Sequence, residues 1–424
     1  MSEFAWMSRR HALTGAAATA GLASCQRLPE TRKTMPFKPD ALAKLEANLK
    51  ANVATGHPPG LVALVSRGDA THAWPVGVMS LGGAPVARDT IFRIASMTKP
   101  ITAVAAMMLV EEGKLKLDEP VERLAPELAD RRVLKRPDGP LDDTVPAARP
   151  ITVEDVLSFR LGWGIDFNQD APFVKASADI PGFGMPNPAS SYTPDSFMAA
   201  LGKLPLQAQP GERWLYTLGA NVLGVLIARA AGQPLEGVLR ERILGPLGMT
   251  DTAFHVPSGK AARLITGYVN NGGKLAPFDP YNDMYLKAPS FPAGDSGLVS
   301  TVGDFAAFAR FITTGLAPDG RRLIKAETLK AMTTNRLTPA QMKDGEMILG
   351  PGRGWALGLG VQVAASPYGV QPGAYGWDGG FGTSWFTDPA RDLTAILLTQ
   401  RVFDSPDPPA AHKHFWRDAY AAVG

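Results

Sequence analysis

The chain reads as an α/β (α+β) fold in which one α/β domain is interrupted by a helical block. Three observations predict this. Two strand-like runs stand near the start, a helix-rich stretch with Pro- and Gly-rich connections fills the middle, and strand-like runs followed by a helix close the chain. At 424 residues the chain is long enough for two or three domains and a large core.

Taken in order, Leu42, Leu45, Leu49 and Val53 fall on one face of a helix over Pro39 to Ala54. Gly60 to Ser66 and Ala73 to Val78 read as strands around a polar turn at Gly68-Asp69, and Ile91 to Ile94 as a short strand. Apolar faces mark helices at Thr98 to Glu112, Thr152 to Ser158, Asp195 to Leu201, Thr217 to Ala231 and Leu235 to Ile243. Between two of these, Asp166 to Pro194 is polar, rich in Pro and Gly, and without periodicity. It reads as a long loop, of the kind that often forms a lid or wall. Gly354 to Val363, Gly376 to Thr387 and Leu393 to Thr399 read as strands, and Ala410 to Val423 as a closing helix. The resulting division is an α/β domain from 38–95 and 290–424 with a mainly helical domain from 96–289 inserted.

Residues 1–25 look like an export signal. Ser8-Arg9-Arg10-His11 is a twin-arginine pattern followed by a short apolar stretch, and a start at Met7 would serve it equally. Leu22-Ala23-Ser24-Cys25 resembles a bacterial lipobox, which would lipidate Cys25. A small-residue signal tail with an incidental cysteine fits as well. Residues 26–37 read as a linker. The expectation is a bacterial exported protein, periplasmic or lipid-anchored at Cys25, with no transmembrane span. Cys25 is the only cysteine, so stability rests on packing rather than an intrachain disulfide.

Lys plus Arg is 43 against 40 for Asp plus Glu, a near balance that argues against nucleic-acid binding. The six histidines and single cysteine show no metal-ligand spacing, and His412 and His414 read as surface residues; no metal or cofactor is implied.

Ser96-Met97-Thr98-Lys99 carries the chemistry. On a helix starting at Ser96, hydroxyl and amine share a face. A buried lysine is kept neutral and can take the serine proton, so the tetrapeptide reads as an acyl-transfer nucleophile with its own base. Roughly one Ser-x-x-Lys match is expected by chance in such a chain, and a capping serine with a solvated lysine is the plainer alternative. Pro100 is tolerable only in a first helical turn, which places the helix start very near Ser96.

Three further segments bear on the site. Tyr216, between the Pro210-Gly211 turn and an apolar helix, is a candidate proton shuttle whose phenol an adjacent ammonium would lower. Gly376-Trp377-Asp378-Gly379-Gly380-Phe381-Gly382-Thr383 is a glycine-rich strand suited to close ligand approach and to offering a backbone N–H to an oxyanion. Asp155 to Gly164 reads as a helix end and turn, with no chemistry of its own. Gly294-Asp295-Ser296-Gly297 is set aside as a chance likeness to a protease nucleophile motif.

In this order, Ser96-x-x-Lys99, the Tyr216 segment and Trp377-Asp378-Gly379 resemble the serine β-lactamase-like superfamily, which includes class C β-lactamases, D-Ala-D-Ala carboxypeptidases and family VIII carboxylesterases. The resemblance implies a mainly antiparallel sheet flanked by helices plus an all-helical domain. It implies Ser96 as nucleophile, Lys99 and Tyr216 as the base system, and the backbone N–H groups of Ser96 and Gly380 as the oxyanion hole. Trp377, Asp378, Gly379 and Phe381 would contact substrate.

Departures point to a branch. Leu218 stands where penicillin-active members carry the Asn of Tyr-x-Asn, and Trp377-Asp378-Gly379 replaces Lys-Thr-Gly. A lysine would attract a substrate carboxylate; an indole, with Asp378 beside it, favours a neutral ester. The expected activity is therefore a serine carboxylesterase acting on small-molecule, short-chain acyl esters through an acyl-enzyme on Ser96. A β-lactamase or D-Ala-D-Ala carboxypeptidase, and a catalytically silent penicillin-binding protein, are the alternatives.

Overall fold

In the computed structural model, residues 36–279 and 282–424 are described. The expected export signal at 1–25, and all but the last two residues of the linker, lie outside them.

A seven-stranded antiparallel sheet organises the fold. Its strands are β1 (Gly60–Arg67), β2 (Ala70–Gly77), β3 (Arg353–Trp355), β4 (Gly360–Gln362), β5 (Tyr375–Gly379), β6 (Thr383–Asp388) and β7 (Leu393–Thr399). Their spatial order is β2-β1-β7-β6-β5-β4-β3, so the first hairpin joins the C-terminal strands through β1 against β7. Period-two alternation divides β1 between two cores. Leu61, Ala63 and Val65 pack on the face covered by helices α1 (Pro39–Ala54) and α5 (Ala410–Val423). Val62 and Leu64 point the other way, into a core shared with α2 (Thr98–Glu111) and α4 (Val302–Thr314).

The middle of the chain adds α3 (Leu218–Ala231), which packs on α2, together with short helices and two-stranded ribbons that stay outside the seven-stranded sheet. Helix α2 is buried along nearly its whole length because Ile101 to Leu109 is apolar apart from Thr102, whose hydroxyl donates to the Gly294 carbonyl, the pattern of a helix enclosed by neighbours.

Two stretches read as single strands are hairpins. Gly354–Val363 breaks at Gly358, whose φ of +90° admits glycine and whose missing side chain lets Ala103 of α2 approach. Gly376–Thr387 breaks at Gly380–Gly382, which turns β5 into β6. Helix α4 lies outside the helices expected from the sequence, although its start and stop signals are local. Thr301 caps it by accepting from the Asp304 N–H, Phe305, Phe308 and Ile312 line its buried face, and Gly315 ends it in the left-handed region. The Asp166–Pro194 stretch contains a short helix, Pro172–Ser177, rather than loop alone.

Candidate active site

Ser96 sits on a sharp turn held from three sides. Phe92–Arg93 pairs with Val299–Ser300, the Ile94 N–H donates to the Leu298 carbonyl at 3.1 Å, and the Thr383 hydroxyl of β6 donates to the Ile94 carbonyl at 3.1 Å. Ala95 then takes a left-handed φ of +42°, and Ser96 lies in a single 3₁₀ turn, Ala95–Met97, that runs into α2. Within 91–100 only Ser96 reaches solvent; the flanking residues are buried. The N-cap of α2 is Met97, with no side-chain cap, so the Ser96 hydroxyl is not spent on capping. Pro100 falls in the first turn, as its missing N–H requires.

Lys99 is 1% exposed, and its Nζ donates to Ser96 Oγ at 2.8 Å and to the Asp295 carbonyl at 2.9 Å. Burial pushes the ammonium down to about 8, opposed by the charge of Asp295. About a tenth of the lysine is then neutral at pH 7 and able to accept the serine proton.

Tyr216 meets this pair from the other side. Its oxygen accepts from Trp377 Nε1 at 2.5 Å and lies near Ser96, and its ring face lies 4.6 Å from Lys99 Nζ. Lys99 and Ser96 thus form one hydrogen-bonded pair, Tyr216 and Trp377 another, and the lysine over the tyrosine ring brings the two together. The phenol is not lowered as the sequence suggested. Burial raises it well above the usual tyrosine range, against the smaller opposing pull of hydrogen bonds from Ser96 and Trp377. The reason is geometric: Lys99 faces the ring rather than the oxygen, and Phe159, Trp214, Trp355 and Trp377 enclose it. Burial therefore keeps the Tyr216 phenol neutral, with its oxygen an acceptor for Trp377.

The Asp155–Gly164 segment, without chemistry of its own, positions this tyrosine. The Leu215 N–H donates to the Phe159 carbonyl at 2.8 Å, the Ile165 N–H donates to the Tyr216 carbonyl at 3.0 Å, and a methyl group at Gly164 would lie 2.5 Å from the Leu215 carbonyl carbon.

On β5 the alternation of side chains sorts the remaining residues. Trp377 points to the site, 3% exposed, with its ring edge-on to Trp355 at 4.6 Å. Asp378 must point to the opposite face, where it pairs with Arg353 Nη1 at 2.7 Å and accepts from Ser384. It does not contact the nucleophile, and its carboxylate faces away from the side that Trp377 presents. At Gly379 a side chain would strike the Ile94 carbonyl and the Thr383 hydroxyl, so glycine lets the strand abut the nucleophile turn. Gly380 is exposed, with open space at its Cα and its carbonyl held by the Phe403 N–H at 2.8 Å. Among the described residues the Ser96 and Gly380 N–H groups have no acceptor. Phe381 is buried, stacked on Phe278 at 4.9 Å in a cluster that includes Ala95. It supports the turn from beneath.

His412, expected at the surface, is buried behind this turn. Its Nε2 lies 3.3 Å from the Gly382 carbonyl, and burial pushes it down to about 4, so the ring is neutral.

Two cavities flank the site. One of about 380 Å³ reaches Tyr216 and is lined by Ile165, Phe167, Trp214, Leu215 and Ile348 with polar residues at its rim. A smaller one, about 200 Å³, reaches Asp295 and Ser296. The 166–194 segment walls both, through Asp166–Asn168 and Ala178–Ser190 respectively.

Asp295 is the residue that motif reading missed. It stands 196 positions from Lys99, and only the fold brings its carbonyl to the amine.

Residues 45–417 match the family model described as Beta-lactamase. A Mycobacterium tuberculosis protein is 40% identical over 333 residues, spanning 76% of this chain and 80% of its own. Esterase EstB of Burkholderia gladioli is 28% identical over 376 residues, 82% of this chain and 88% of its own. Among solved structures, that of EstCE1, described as a hydrolase with promiscuous acyltransferase activity, is similar with a TM-score of 0.76 at 25% identity. It covers 90% of this chain and 99% of that one.

Proposed function

The chain belongs to the beta-lactamase family and is a serine hydrolase, and from that premise we propose that it is a carboxylesterase acting on short-chain acyl esters. The observation that carries this reading is the Trp377–Tyr216 hydrogen bond. Where the penicillin-active pattern places a lysine for a substrate carboxylate, this chain has an uncharged indole whose one donor is already committed to the tyrosine. The esterase relatives support the same reading.

In the proposed reaction Lys99, in its neutral form, takes the Ser96 proton as Oγ attacks the ester carbonyl carbon, while the neutral Tyr216 phenol beside it relays the proton onward. The oxyanion accepts from the N–H groups of Ser96 and Gly380. Collapse breaks the bond to the alcohol, which leaves with a proton supplied through Tyr216. Water then attacks the acyl-enzyme, giving its proton to the same base system and restoring Ser96.

A panel of p-nitrophenyl acetate, butyrate and longer esters against nitrocefin tests the reading. Loss of a charge-assisted contact to a carboxylate is worth about 1.5–3 kcal/mol, so kcat/KM on the best ester should exceed that on nitrocefin by about ten- to a hundredfold. Nitrocefin turnover equal to the best ester would favour the β-lactamase alternative.

Phenylalanine at Trp377 keeps most of the aromatic surface and deletes the donor to Tyr216. Steady-state kinetics on p-nitrophenyl butyrate should show kcat down about tenfold, the worth of one such hydrogen bond, with KM little changed. A rise in KM alone would assign Trp377 to substrate contact instead.

A further inference from the structure

We propose that Asp295 is a positioning residue that clamps both halves of the base system, Lys99 through its backbone carbonyl and Tyr216 through the neighbouring Thr217. The inference rests on the esterase reading above and deepens it.

Asp295 is 5% exposed, and its polar atoms are all engaged. Its carbonyl accepts from Lys99 Nζ at 2.9 Å, and its N–H donates to Asn221 Oδ1 of α3 at 3.1 Å. Its Oδ1 accepts from the Ser296 hydroxyl at 2.7 Å, and its Oδ2 accepts from the Thr217 hydroxyl at 3.1 Å. One residue thereby ties α2, α3 and the turn carrying Tyr216 to the loop before Val299–Ser300.

The Thr217 contact is the informative one. Thr217 follows Tyr216 directly and adopts a φ of +94°, a region that β-branched residues rarely enter. Such a conformation persists only where the surroundings hold it, and such residues cluster at functional sites. The hydroxyl of Thr217, anchored on the Asp295 carboxylate, is what holds it here, and the resulting kink aims Tyr216 at Ser96 and Trp377.

The carboxylate is held by two uncharged hydroxyls, those of Ser296 and Thr217, so its charge acts at longer range. Lys99 feels it as a stabilising negative charge that opposes the effect of burial. The titratable groups around Lys99 are Tyr216, from the segment before α3, and Asp295. Asp378 on β5 acts on Tyr216 from further out, as Tyr285 and Asp295 act on one another. Of these, Asp295 alone carries both a charge on Lys99 and a direct hydrogen bond to the Tyr216 turn.

Two variants separate charge from geometry. Asp295→Asn keeps the shape and removes the charge, so the lysine ammonium loses its support. The acid limb of the kcat/KM profile on p-nitrophenyl butyrate should move to lower pH by about one unit. Thr217→Val keeps the charge and cuts the clamp. It should lower kcat about tenfold with KM changed less than about twofold, and leave the limb in place. An unmoved limb in Asp295→Asn that melts cooperatively overturns the electrostatic half. Should that variant not fold, an unchanged kcat in Thr217→Val overturns the clamp. Ser96→Ala run alongside keeps the two levels apart, since hydrolysis surviving in it would overturn the catalytic reading itself.

Discussion

Alanine at Ser96 is expected to abolish esterase activity, lowering kcat on p-nitrophenyl acetate or butyrate by at least about 10⁴-fold, as removal of a covalent nucleophile does. Neither Lys99 nor Tyr216 can substitute. The lysine is enclosed, and the tyrosine is held neutral by burial, with its oxygen accepting from Trp377. The fold should be unaffected, because Ser96 reaches solvent and caps nothing. An unchanged melting temperature beside lost turnover would confirm that the loss is chemical. Retained hydrolysis would remove Ser96 from the mechanism.

Lys99→Met should have two opposite effects. Activity falls by about 10²–10⁴-fold, the usual contribution of a general base. Stability at neutral pH rises. The folded-state value of Lys99, about 8, lies below its ordinary 10.5, so charging this buried amine costs about 3 kcal/mol of folding stability at pH 7. Loss of its donors to Ser96 and the Asp295 carbonyl returns about 1 kcal/mol of that, leaving a net gain of about 2 kcal/mol. The sign with pH is specific. A lowered lysine makes the wild type less stable wherever the unfolded chain binds the extra proton. The advantage of the variant is therefore fully present below pH 8 and disappears as pH rises to 10.5. Urea melts at pH 7 and near pH 10 check it, and a gain independent of pH would show that the cause is packing rather than charge. Such a trade of stability for function is common at active sites.

These effects converge on residues that local sequence chemistry could identify. Pro100 requires a helix start beside Ser96, and the apolar run behind it requires burial of the next turn, so the nucleophile turn is legible in local sequence alone. The closing strand and helix were equally plain, since Leu393–Thr399 and Ala410–Val423 carry uninterrupted strand and helix patterns.

What the sequence concealed depends on which distant segments meet. The alternation along Tyr375–Gly379 separates Trp377 from Asp378, but only the order of the sheet, with β6 beside β5 and β3 beyond β4, supplies Ser384 and Arg353 to neutralise the aspartate away from the site. The direction of the Tyr216 shift turns on Phe159, Trp355 and Trp377, drawn from three separate stretches of chain. Asp295 looked like part of an unrelated motif, and its role comes from a carbonyl whose direction no side-chain pattern encodes. His412 carries no signal of burial beyond its place on the inner face of an amphipathic helix.

The central claim is that hydrolysis passes through an acyl group on Ser96. Quenching p-nitrophenyl butyrate turnover in acid and mapping the digested protein by mass spectrometry tests it directly. The expected result is a butyryl adduct confined to the peptide containing Ser96 and absent from Ser96→Ala. An adduct on another residue during full turnover, or rapid turnover with no adduct and no pre-steady-state burst, would contradict the account.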